Sequence, residues 1–538
     1  MNTDKHRFSL LDLISNFQHS FVSGYYKHKK EYFYVLLIIL LVNSVSFIPY
    51  ISGAINTPPG CYFIGYPYPL DTNKYFGQML QGARKGILYY QNHLTTESHQ
   101  PAILFNFYLV LGKIAQVFHL NFIAVFHIAR VLLGTTLLIY IYSKSHIFFK
   151  ESYHRLGVLA LLCFSSGFSS PSEADTFKAI TFFPHFVTAM LLMVVYFYNF
   201  CYFSSYKSTR TSLYLCAILI FLTGIIHPWN IVTMFFISLL FFIAFIIRKQ
   251  LLLSKELLIG YLILLVVALA ILGLHLNTLR TNPVFKAVAE QNISFIKNIS
   301  EVINYFGVLW IPTIIGAILA LRRYKSSLML FPALWLIGSL FLISLPFPFQ
   351  RRIVEGLQIP VVFLTAFCLF IVSENLSVKL SLSKKLTGFA LILLTLMAST
   401  YHNLYSLRFP SDHPAFIFYP PIEMIKNMEW IDKNIPENSN VLASIATGQL
   451  LCRYTLTNAF VVHSVETIDF SEKYNLMIWF YSGRADISQM KELLEFFGIQ
   501  YVIYGPWEYC SPNLNLLKIP WLEMRYQNKD FSIFKVKQ

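Results

Sequence analysis

Acidic, histidine and arginine residues that could do chemistry stand in four short stretches, each beside an apolar run. The first stretch has one acid, Asp71, among aromatic and proline residues, followed by Asn73, Lys74 and Tyr75 and, further on, by Glu97. A carboxylate in an aromatic-lined pocket could act as a general base for a hydroxyl group, because the pocket shields it from bulk water. The alternative is a plain turn, since Pro-Leu-Asp-Thr-Asn is rich in turn-forming residues.

The second stretch contains Glu173, Asp175 and His185. In an extended backbone, residues two apart point to the same side, so we expect the two acids to share a face. Paired carboxylates can hold a divalent metal, although loop acids are more often only solvated. His185 follows Pro184 at the start of an apolar run, where it could cap a helix or contact a phosphate.

The third stretch begins with His227, in the sequence His-Pro-Trp-Asn that divides one long apolar run into two. Proline is favoured at the first position of a helix, so this sequence predicts a tight turn. The turn is expected whether or not His227 also binds substrate.

The fourth stretch has Arg351 and Arg352 side by side between two apolar runs. Arginine can bind a phosphate through two parallel hydrogen bonds, and we favour this role for at least one of the two residues. A lipid-headgroup anchor and an ion pair with Glu355 are the alternatives.

The composition predicts a protein embedded in a lipid bilayer. Of the 538 residues, 56% are hydrophobic and 13% are charged, and the mean hydropathy is +0.54. These values lie far from those of soluble globular chains. The net charge of +15 comes mainly from basic residues in short loops between apolar runs. This is the positive-inside pattern, so we expect no nucleic-acid partner.

Apolar runs of about the length that crosses a bilayer occur eleven times, at 32–52, 122–143, 156–168, 184–204, 212–226, 230–247, 257–276, 302–321, 327–346, 353–373 and 386–405. Basic residues recur in every second loop, so the N-terminus is expected in the cytoplasm and the C-terminus outside. Residues 102–120 are also apolar. Counting them as a span would move every later loop to the opposite side of the membrane and break the pattern of basic loops. We predict that this segment forms a helix that lies along the outer interface or re-enters from it.

The sequence after Leu407 changes character and predicts a soluble α/β domain. Helical periodicity at 423–435 and 490–498 alternates with strand-like segments at 440–445, 500–505, 523–527 and 531–536. The expected organisation is a cytoplasmic segment at 1–31, a transmembrane domain at 32–407 and an extracytoplasmic domain at 408–538. The transmembrane domain includes a long first outer loop, 53–121.

The seven cysteines show no spacing typical of a metal site. Cys452 and Cys510 are both expected outside the membrane, where a disulfide between them is an open alternative.

Several of these segments resemble the polytopic glycosyltransferases of the GT-C class, in particular bacterial membrane proteins with an oligosaccharyl- or mannosyltransferase-like core. The likeness is carried by short motifs: Pro-Leu-Asp-Thr-Asn-Lys-Tyr, Phe-His-Ile-Ala-Arg at 126–130, Phe-Pro-His at 183–185, His-Pro-Trp at 227–229, Gln-Arg-Arg at 350–352, Glu-Gly at 355–356, and tail segments at 446–448, 463–467 and 501–506.

The apolar runs and the tail together predict an all-α polytopic fold of about eleven transmembrane helices, similar to the GT-C fold, with a small C-terminal α/β domain. The resemblance implies inverting transfer of a sugar from a polyprenyl-phosphate donor to a glycan, lipid or protein acceptor, on the outer face of the cytoplasmic (inner) membrane.

Carried onto this sequence, the resemblance makes Asp71 the candidate base, with Glu173 or Asp175 assisting the acceptor or a metal. Arg351 or Arg352, with His185 and His227, would hold the donor phosphate. The predicted substrate contacts are Asn73, Lys74, Tyr75 and Glu97. The first outer loop lacks a second acid close to Asp71, which fits metal-independent transfer better, so no cofactor is firmly implied and a divalent metal stays open.

Two other functions are the alternatives: a transporter or flippase of a lipid-linked glycan, and a non-catalytic membrane scaffold with an exported binding domain. A transporter is expected to show acids, or helices broken by Gly and Pro, at mid-membrane depth in matching halves. The centres of the spans here have almost no charges, and Arg130 is the exception. The enzyme hypothesis requires that Asp71, an acid of 173–175 and Arg351 or Arg352 converge on one outward cavity.

Overall fold

A computed structural model describes residues 29–65, 68–204, 210–247, 255–322, 328–408, 418–509 and 514–537. Cys510, one half of the disulfide considered above, lies outside these residues, as does most of the predicted cytoplasmic segment 1–31.

Among the described residues up to Arg408, each of the eleven predicted apolar runs lies largely in α-helix. The helices of this part are α1 Lys29–Ser46, α2 Ile48–Ile55, α3 Pro69–Lys85, α4 Asn106–Val117, α5 Phe122–Ser145, α6 Ser152–Phe164, α7 Thr176–Phe182, α8 Pro184–Ser204, α9 Arg210–Ile226, α10 Trp229–Ile247, α11 Lys255–Thr281, α12 Pro283–Gln291, α13 Ile299–Phe306, α14 Trp310–Arg322, α15 Leu330–Ser344, α16 Gln358–Leu380, α17 Lys384–Ser399 and α18 Tyr401–Ser406. A short 3-10 helix, Gln350–Val354, carries the two arginines.

The expected count of about eleven membrane spans is not confirmed. Among the described residues, six helical segments are long and apolar enough to cross a bilayer: Lys30–Ile55, Phe122–Ser145, Pro184–Cys201, Leu257–Thr281, Ile299–Arg322 and Gln358–Leu380. Helices occupy the other predicted runs, but α6, for example, has 13 residues. At 1.5 Å per residue such a helix is about 20 Å long, shorter than a hydrocarbon core of about 30 Å.

Arg130, the exceptional charge of the predicted spans, is buried inside the helical bundle. Its Nη1 donates hydrogen bonds to Ser46 Oγ at 2.6 Å and to the Ile180 carbonyl at 3.1 Å. Its guanidinium also lies 4.5 Å from the ring centre of Phe47. These contacts give the charge a packing role between α1, α5 and α7.

The predicted first outer loop is largely helical. Helices α3 and α4 cross closely at two glycines: a Cβ on Gly82 would lie 2.1 Å from the Leu109 carbonyl oxygen, and a Cβ on Gly112 would lie 1.8 Å from that of Met79. Helix α4, within the stretch 102–120, has 12 residues. It is about 18 Å long and therefore too short to cross the bilayer.

The C-terminal part contains a five-stranded sheet in the order β2-β1-β3-β5-β4. The strands are β1 Asn440–Leu442, β2 Asn458–Ala459, β3 Tyr501–Tyr504, β4 Leu522–Gln527 and β5 Ser532–Val536, and the helices are α19 Ile422–Asn434, α20 Ile445–Tyr454, α21 Phe470–Tyr481 and α22 Ile487–Phe496. Strands β2, β1 and β3 are parallel, whereas β5 pairs antiparallel with both β3 and β4. All the helices and strands predicted after Leu407 are present.

Alternating side chains of the strands are buried on the two faces of the sheet. Leu442, Val502 and Phe534 pack on one face among side chains of α21 and α22. Val441 and Ile503 pack on the other face among side chains of α19 and α20. This double cover explains why the central strands consist of apolar residues with little polar alternation.

Segment 53–121, the predicted first outer loop, and the C-terminal part are joined by backbone and charged contacts. The Ala459 amide donates to the His93 carbonyl at 3.0 Å, so residues near 93 lie along the sheet edge. Arg84, at the end of α3, binds both carboxylate oxygens of Asp432, at 2.8 and 2.6 Å. Helix α3 is therefore held between the membrane helices and the sheet.

Candidate functional site

A cavity of about 880 Å³ lies between the membrane helices and the C-terminal part. Its wall is formed by α3, residues 170–178, the 3-10 helix Gln350–Val354, residues 402–408 and the tail segment 463–466. Asp71, Glu173, Arg351 and Arg352 all line it. The structure thus brings Asp71 and Glu173 into one cavity with both arginines.

One face of α3 lies along this cavity. Lys74 and Tyr75 follow Asp71 by three and four residues, so the three side chains project from the same side of the helix. Asp71 is at the open end, with 53% of its side chain exposed.

His463 holds the Asp71 carboxylate. Its Nε2 lies 3.3 Å from Asp71 Oδ1. The Val465 amide donates to His463 Nδ1 at 3.2 Å, which makes Nδ1 the acceptor and places the ring proton on Nε2, facing Asp71. Burial alone would raise the pKa of Asp71. The hydrogen bond from His463, with the positive charges of Lys74 and Arg352, outweighs it and holds this pKa below its ordinary value.

Lys74 and Tyr75 contact the cavity one turn further along α3. Lys74 forms an ion pair with Glu466, so the tail residues 463 and 466 meet helix residues 71 and 74 in register. Tyr75 stacks on Tyr108 with ring centres 4.2 Å apart. Both predicted substrate contacts therefore lie in the cavity wall.

The two arginines share one buried acid. Glu173 Oε1 lies 2.7 Å from Arg352 Nη1 and 3.4 Å from Arg351 Nη2. The Arg352 guanidinium also lies 5.6 Å from the ring centre of Trp229. Glu173 thus orients the arginines and neutralises part of their charge. The ion pair with Glu355 considered from the sequence is absent from the described residues.

Asp175 does not reach the cavity. The expectation that Glu173 and Asp175 share a face is wrong, because residues 172–174 form a turn and Asp175 then starts α7. The Asp175 carboxylate accepts hydrogen bonds from the Lys178 amide at 3.1 Å and from Ser166 Oγ at 2.5 Å. Burial raises its pKa, against the effect of the Lys178 charge and these hydrogen bonds.

Within the described ranges, no group of three or more His, Cys, Asp or Glu side chains is placed to hold an ion.

His185 and His227 line a smaller chamber beside the main cavity. His185 Nδ1 is 2.7 Å from the Tyr108 hydroxyl. His227 Nδ1 is 2.8 Å from Glu355 Oε2, which also accepts hydrogen bonds from Asn230 at 2.8 Å and Trp229 at 3.3 Å. The sequence His-Pro-Trp-Asn is therefore a turn whose polar side chains all converge on one buried carboxylate.

Asn73 and Glu97, two predicted substrate contacts, face the C-terminal part instead of the cavity. Asn73 donates to Gln449 Oε1 at 3.1 Å and accepts from Arg453 Nη1 at 3.1 Å. Glu97 pairs with the buried Lys473 at 2.5 Å. Both residues fasten the first outer loop to the tail.

Sequence reasoning missed the cavity residues His463, Glu466, Gln78, Lys178, His402 and Arg408. One signal existed for the first two. The spacing of Asp71 and Lys74 is repeated by His463 and Glu466, with acid and base exchanged. Local sequence rules do not pair residues so far apart in the chain. The shared spacing therefore could not be recognised as a contact before the fold was known.

Sequence comparison finds no family model that matches and no significant match among curated proteins. Solved structures do match. The Archaeoglobus fulgidus oligosaccharyltransferase has a TM-score of 0.54 at 13% identity, over 90% of this chain and 70% of its own. ArnT from Cupriavidus metallidurans, bound to undecaprenyl phosphate, has a TM-score of 0.53 at 12% sequence identity. The match covers 93% of this chain and 97% of ArnT.

The arabinofuranosyltransferase AftD from mycobacteria has a TM-score of 0.56 at 12% identity, over 94% of this chain but 40% of its own. All three are GT-C glycosyltransferases. The agreement extends over the apolar helices and the C-terminal part alike. This chain is a multi-pass membrane protein with the fold of the GT-C glycosyltransferases, as its motifs predicted.

Proposed function

We propose that the protein is a membrane glycosyltransferase that moves a sugar from a polyprenyl-phosphate donor to an acceptor. The observation that carries this proposal is the single cavity lined by Asp71 and by Arg351 and Arg352. A transfer reaction needs a base for the acceptor hydroxyl and positive charge for the departing phosphate, and this cavity has both.

Asp71 is the proposed general base. Its lowered pKa keeps it ionised near neutral pH, so it can accept the proton of an acceptor hydroxyl. That oxygen forms a bond to the anomeric carbon as the bond from this carbon to the phosphate oxygen breaks. Attack from the side opposite the phosphate inverts the anomeric configuration.

Arg352 and Arg351 are the proposed phosphate contacts. Their guanidinium groups can donate paired hydrogen bonds to phosphate oxygens and stabilise the charge that grows there as the sugar leaves. Glu173 fixes their position from behind. The Glu355 carboxylate, in turn, holds His227 and Trp229, and Trp229 lies against Arg352. Asp175 supports the same wall by starting α7.

A polyprenyl carrier is supported by two structural relatives. ArnT has been solved with undecaprenyl phosphate, and the archaeal oligosaccharyltransferase AglB with dolichol-phosphate and an inhibitory peptide. The cavity borders helices of the membrane domain, so an isoprenoid chain would enter sideways from the bilayer. We further propose that the cavity faces the outer side of the inner membrane, because the basic loops assign the opposite side to the cytoplasm.

Transfer is tested by incubating membranes that contain the protein with radiolabelled polyprenyl-phosphate sugars and extracting lipids, glycans and proteins separately. Label in one of these acceptor fractions, absent without the protein, supports the proposal. Label that crosses the membrane while still attached to its lipid would favour a flippase. Binding of a partner with neither result would favour a scaffold.

A further inference from the structure

A second cavity, of about 340 Å³, lies between α5, α8, α15 and α16 and shares no described lining residue with the main cavity. Helix α8 shows how far apart the two cavities are. Phe186 lines the main cavity, whereas Val194 and Cys201 line the second one. They follow Phe186 by 8 and 15 residues, or about 12 and about 22 Å along the helix. The second cavity is therefore a separate site, further along the helical bundle and away from the proposed transfer site.

The wall of the second cavity is almost entirely apolar. Lys144 is the one charged residue among the described residues that line it, and Phe197, Phe331 and Trp335 are typical of the remainder. The Trp335 indole N–H is buried without a hydrogen-bond partner in the described part of the chain. A buried water needs about two to four polar partners. These few polar groups are not enough to fill the space with ordered water.

The size of the second cavity is unusual for a protein interior. Interiors are close-packed, with few voids larger than a water molecule. An engineered apolar cavity of about 150 Å³ stays free of water and binds benzene, and this cavity is about twice as large. Lipid chains are the apolar molecules that surround a membrane protein. The volume and the wall therefore point to one lipid chain as the occupant.

Lys144 gives the second cavity its charge. It lies in the last turn of α5, and its ammonium nitrogen is 4.3 Å from the ring centre of Tyr198 and 5.6 Å from that of Tyr140. Within the described ranges, no carboxylate or hydrogen-bond acceptor is within bonding distance of this nitrogen. An ammonium group without an anion, beside an apolar cavity between membrane helices, is complementary to the phosphate of a lipid head group.

We infer that the second cavity binds one acyl chain of an anionic phospholipid and that Lys144 binds its phosphate. The lipid would come from the cytoplasmic leaflet, because Lys144 ends α5 at a loop that the pattern of basic residues assigns to the cytoplasm. The chain gains little by leaving the bilayer, since lipid tails are as apolar as the wall. Selectivity therefore comes from packing in the cavity and from the charge of the head group. This site does not depend on the proposed function.

The test uses the purified full chain in detergent and native mass spectrometry, which counts the lipid molecules bound to each protein. The probes are phosphatidylglycerol, phosphatidylcholine and undecaprenyl phosphate. We expect one phosphatidylglycerol to bind more tightly than phosphatidylcholine, and undecaprenyl phosphate not to displace it. Lys144→Gln should weaken the binding of phosphatidylglycerol about tenfold, the effect of about one hydrogen bond to a charged group.

Lys150→Gln is the matched control. Lys150 lies in the loop that follows α5, is exposed and does not line the second cavity, so its variant removes the same charge from the same side of the membrane. It should leave the affinity for phosphatidylglycerol unchanged. A lysine that only reaches into the general head-group layer would make the two variants equivalent. Equal losses in both variants, equal affinity for the two phospholipids, or displacement by undecaprenyl phosphate would overturn the inference.

Val194→Phe tests the open space itself. The larger ring would fill part of the second cavity, so phosphatidylglycerol should bind more weakly. Thermal unfolding without added lipid should occur at an unchanged or higher temperature, because the ring enters a void. In a region that was already close-packed, the larger side chain would instead lower the unfolding temperature. That result, or unchanged binding of phosphatidylglycerol, would also overturn the inference.

Discussion

His463, in the C-terminal part, donates its ring proton toward Asp71, in the first outer loop, across 3.3 Å. The Val465 amide fixes the tautomer that makes this possible. Since Glu466 binds Lys74 one helical turn away, two polar pairs attach the tail to α3 at the open end of the cavity. The charge state of Asp71 is therefore set jointly by the membrane domain and the sheet-bearing part.

Replacing His463 should shift the pH dependence of transfer. The pKa of Asp71 is held below its ordinary value by His463, Lys74 and Arg352, so activity that needs the carboxylate is lost as pH falls through that lowered pKa. In His463→Ala the pKa of Asp71 should rise, and the acidic limb of the rate profile should move to higher pH. An unchanged limb, in a variant with unchanged thermal unfolding, would show that His463 does not act on the base.

Asp71→Asn should abolish transfer while leaving the protein folded. The amide cannot take the acceptor proton, yet it preserves the size of the side chain and can still accept a hydrogen bond from His463. Labelled product and thermal unfolding in detergent measure the two effects. Near-normal turnover would remove Asp71 from the mechanism.

Arg352→Gln should lower both stability and donor binding, for separable reasons. It leaves Glu173, which is buried, with the more distant Arg351 as its cation. Loss of one partner from a buried pair costs about 3 kcal/mol. The double variant Glu173→Gln, Arg352→Gln should regain most of the stability, because the uncompensated charge is gone.

Donor binding, followed with undecaprenyl phosphate, should stay weak in that double variant. Recovery of binding together with stability would mean that Arg352 serves only as the partner of Glu173.

Gly112→Ala should destabilise the protein by about 1–3 kcal/mol or more, because the added methyl group meets the Met79 backbone where α3 and α4 cross. Gly273→Ala is the control: it also lies inside a helix, and nothing is within 4 Å of its added Cβ. There alanine should be neutral or stabilising by up to about 1 kcal/mol. Thermal unfolding of both variants under identical conditions gives the comparison, and equal melting temperatures would contradict the close crossing.

Local patterns in the sequence predict much of this fold. Apolar runs mark the helices, and alternation of helical and strand-like segments after Leu407 marks the sheet. The number of spans is not predictable in this way, because α6 and similar helices are shorter than the bilayer core. The turn at 172–174 includes Ser172 and follows Pro171, both turn-forming residues, but the sequence does not show in which directions Glu173 and Asp175 point.

Within the candidate site, the sequence pointed most clearly to the charged residues at its centre. Asp71 and the two arginines stood out because charges beside apolar runs are costly. Asn73 and Glu97 are polar residues of the same loop as Lys74, and the sequence does not distinguish the directions in which the three point. Asn73 and Glu97 face the tail, because the rotation of α3 and the path of residues 92–97 depend on tertiary packing. His463 lies in a part of the chain whose docking no local rule specifies.

The attachment of segment 463–466 to α3 has a consequence for how the protein is made. This segment follows all the apolar helices in the chain, so it leaves the ribosome after every membrane helix has been synthesised. Until then Asp71 lacks its histidine and Lys74 lacks its acid. The nascent protein therefore enters the bilayer with an unfinished cavity, and the proposed chemistry can begin only once the C-terminal part has folded and docked.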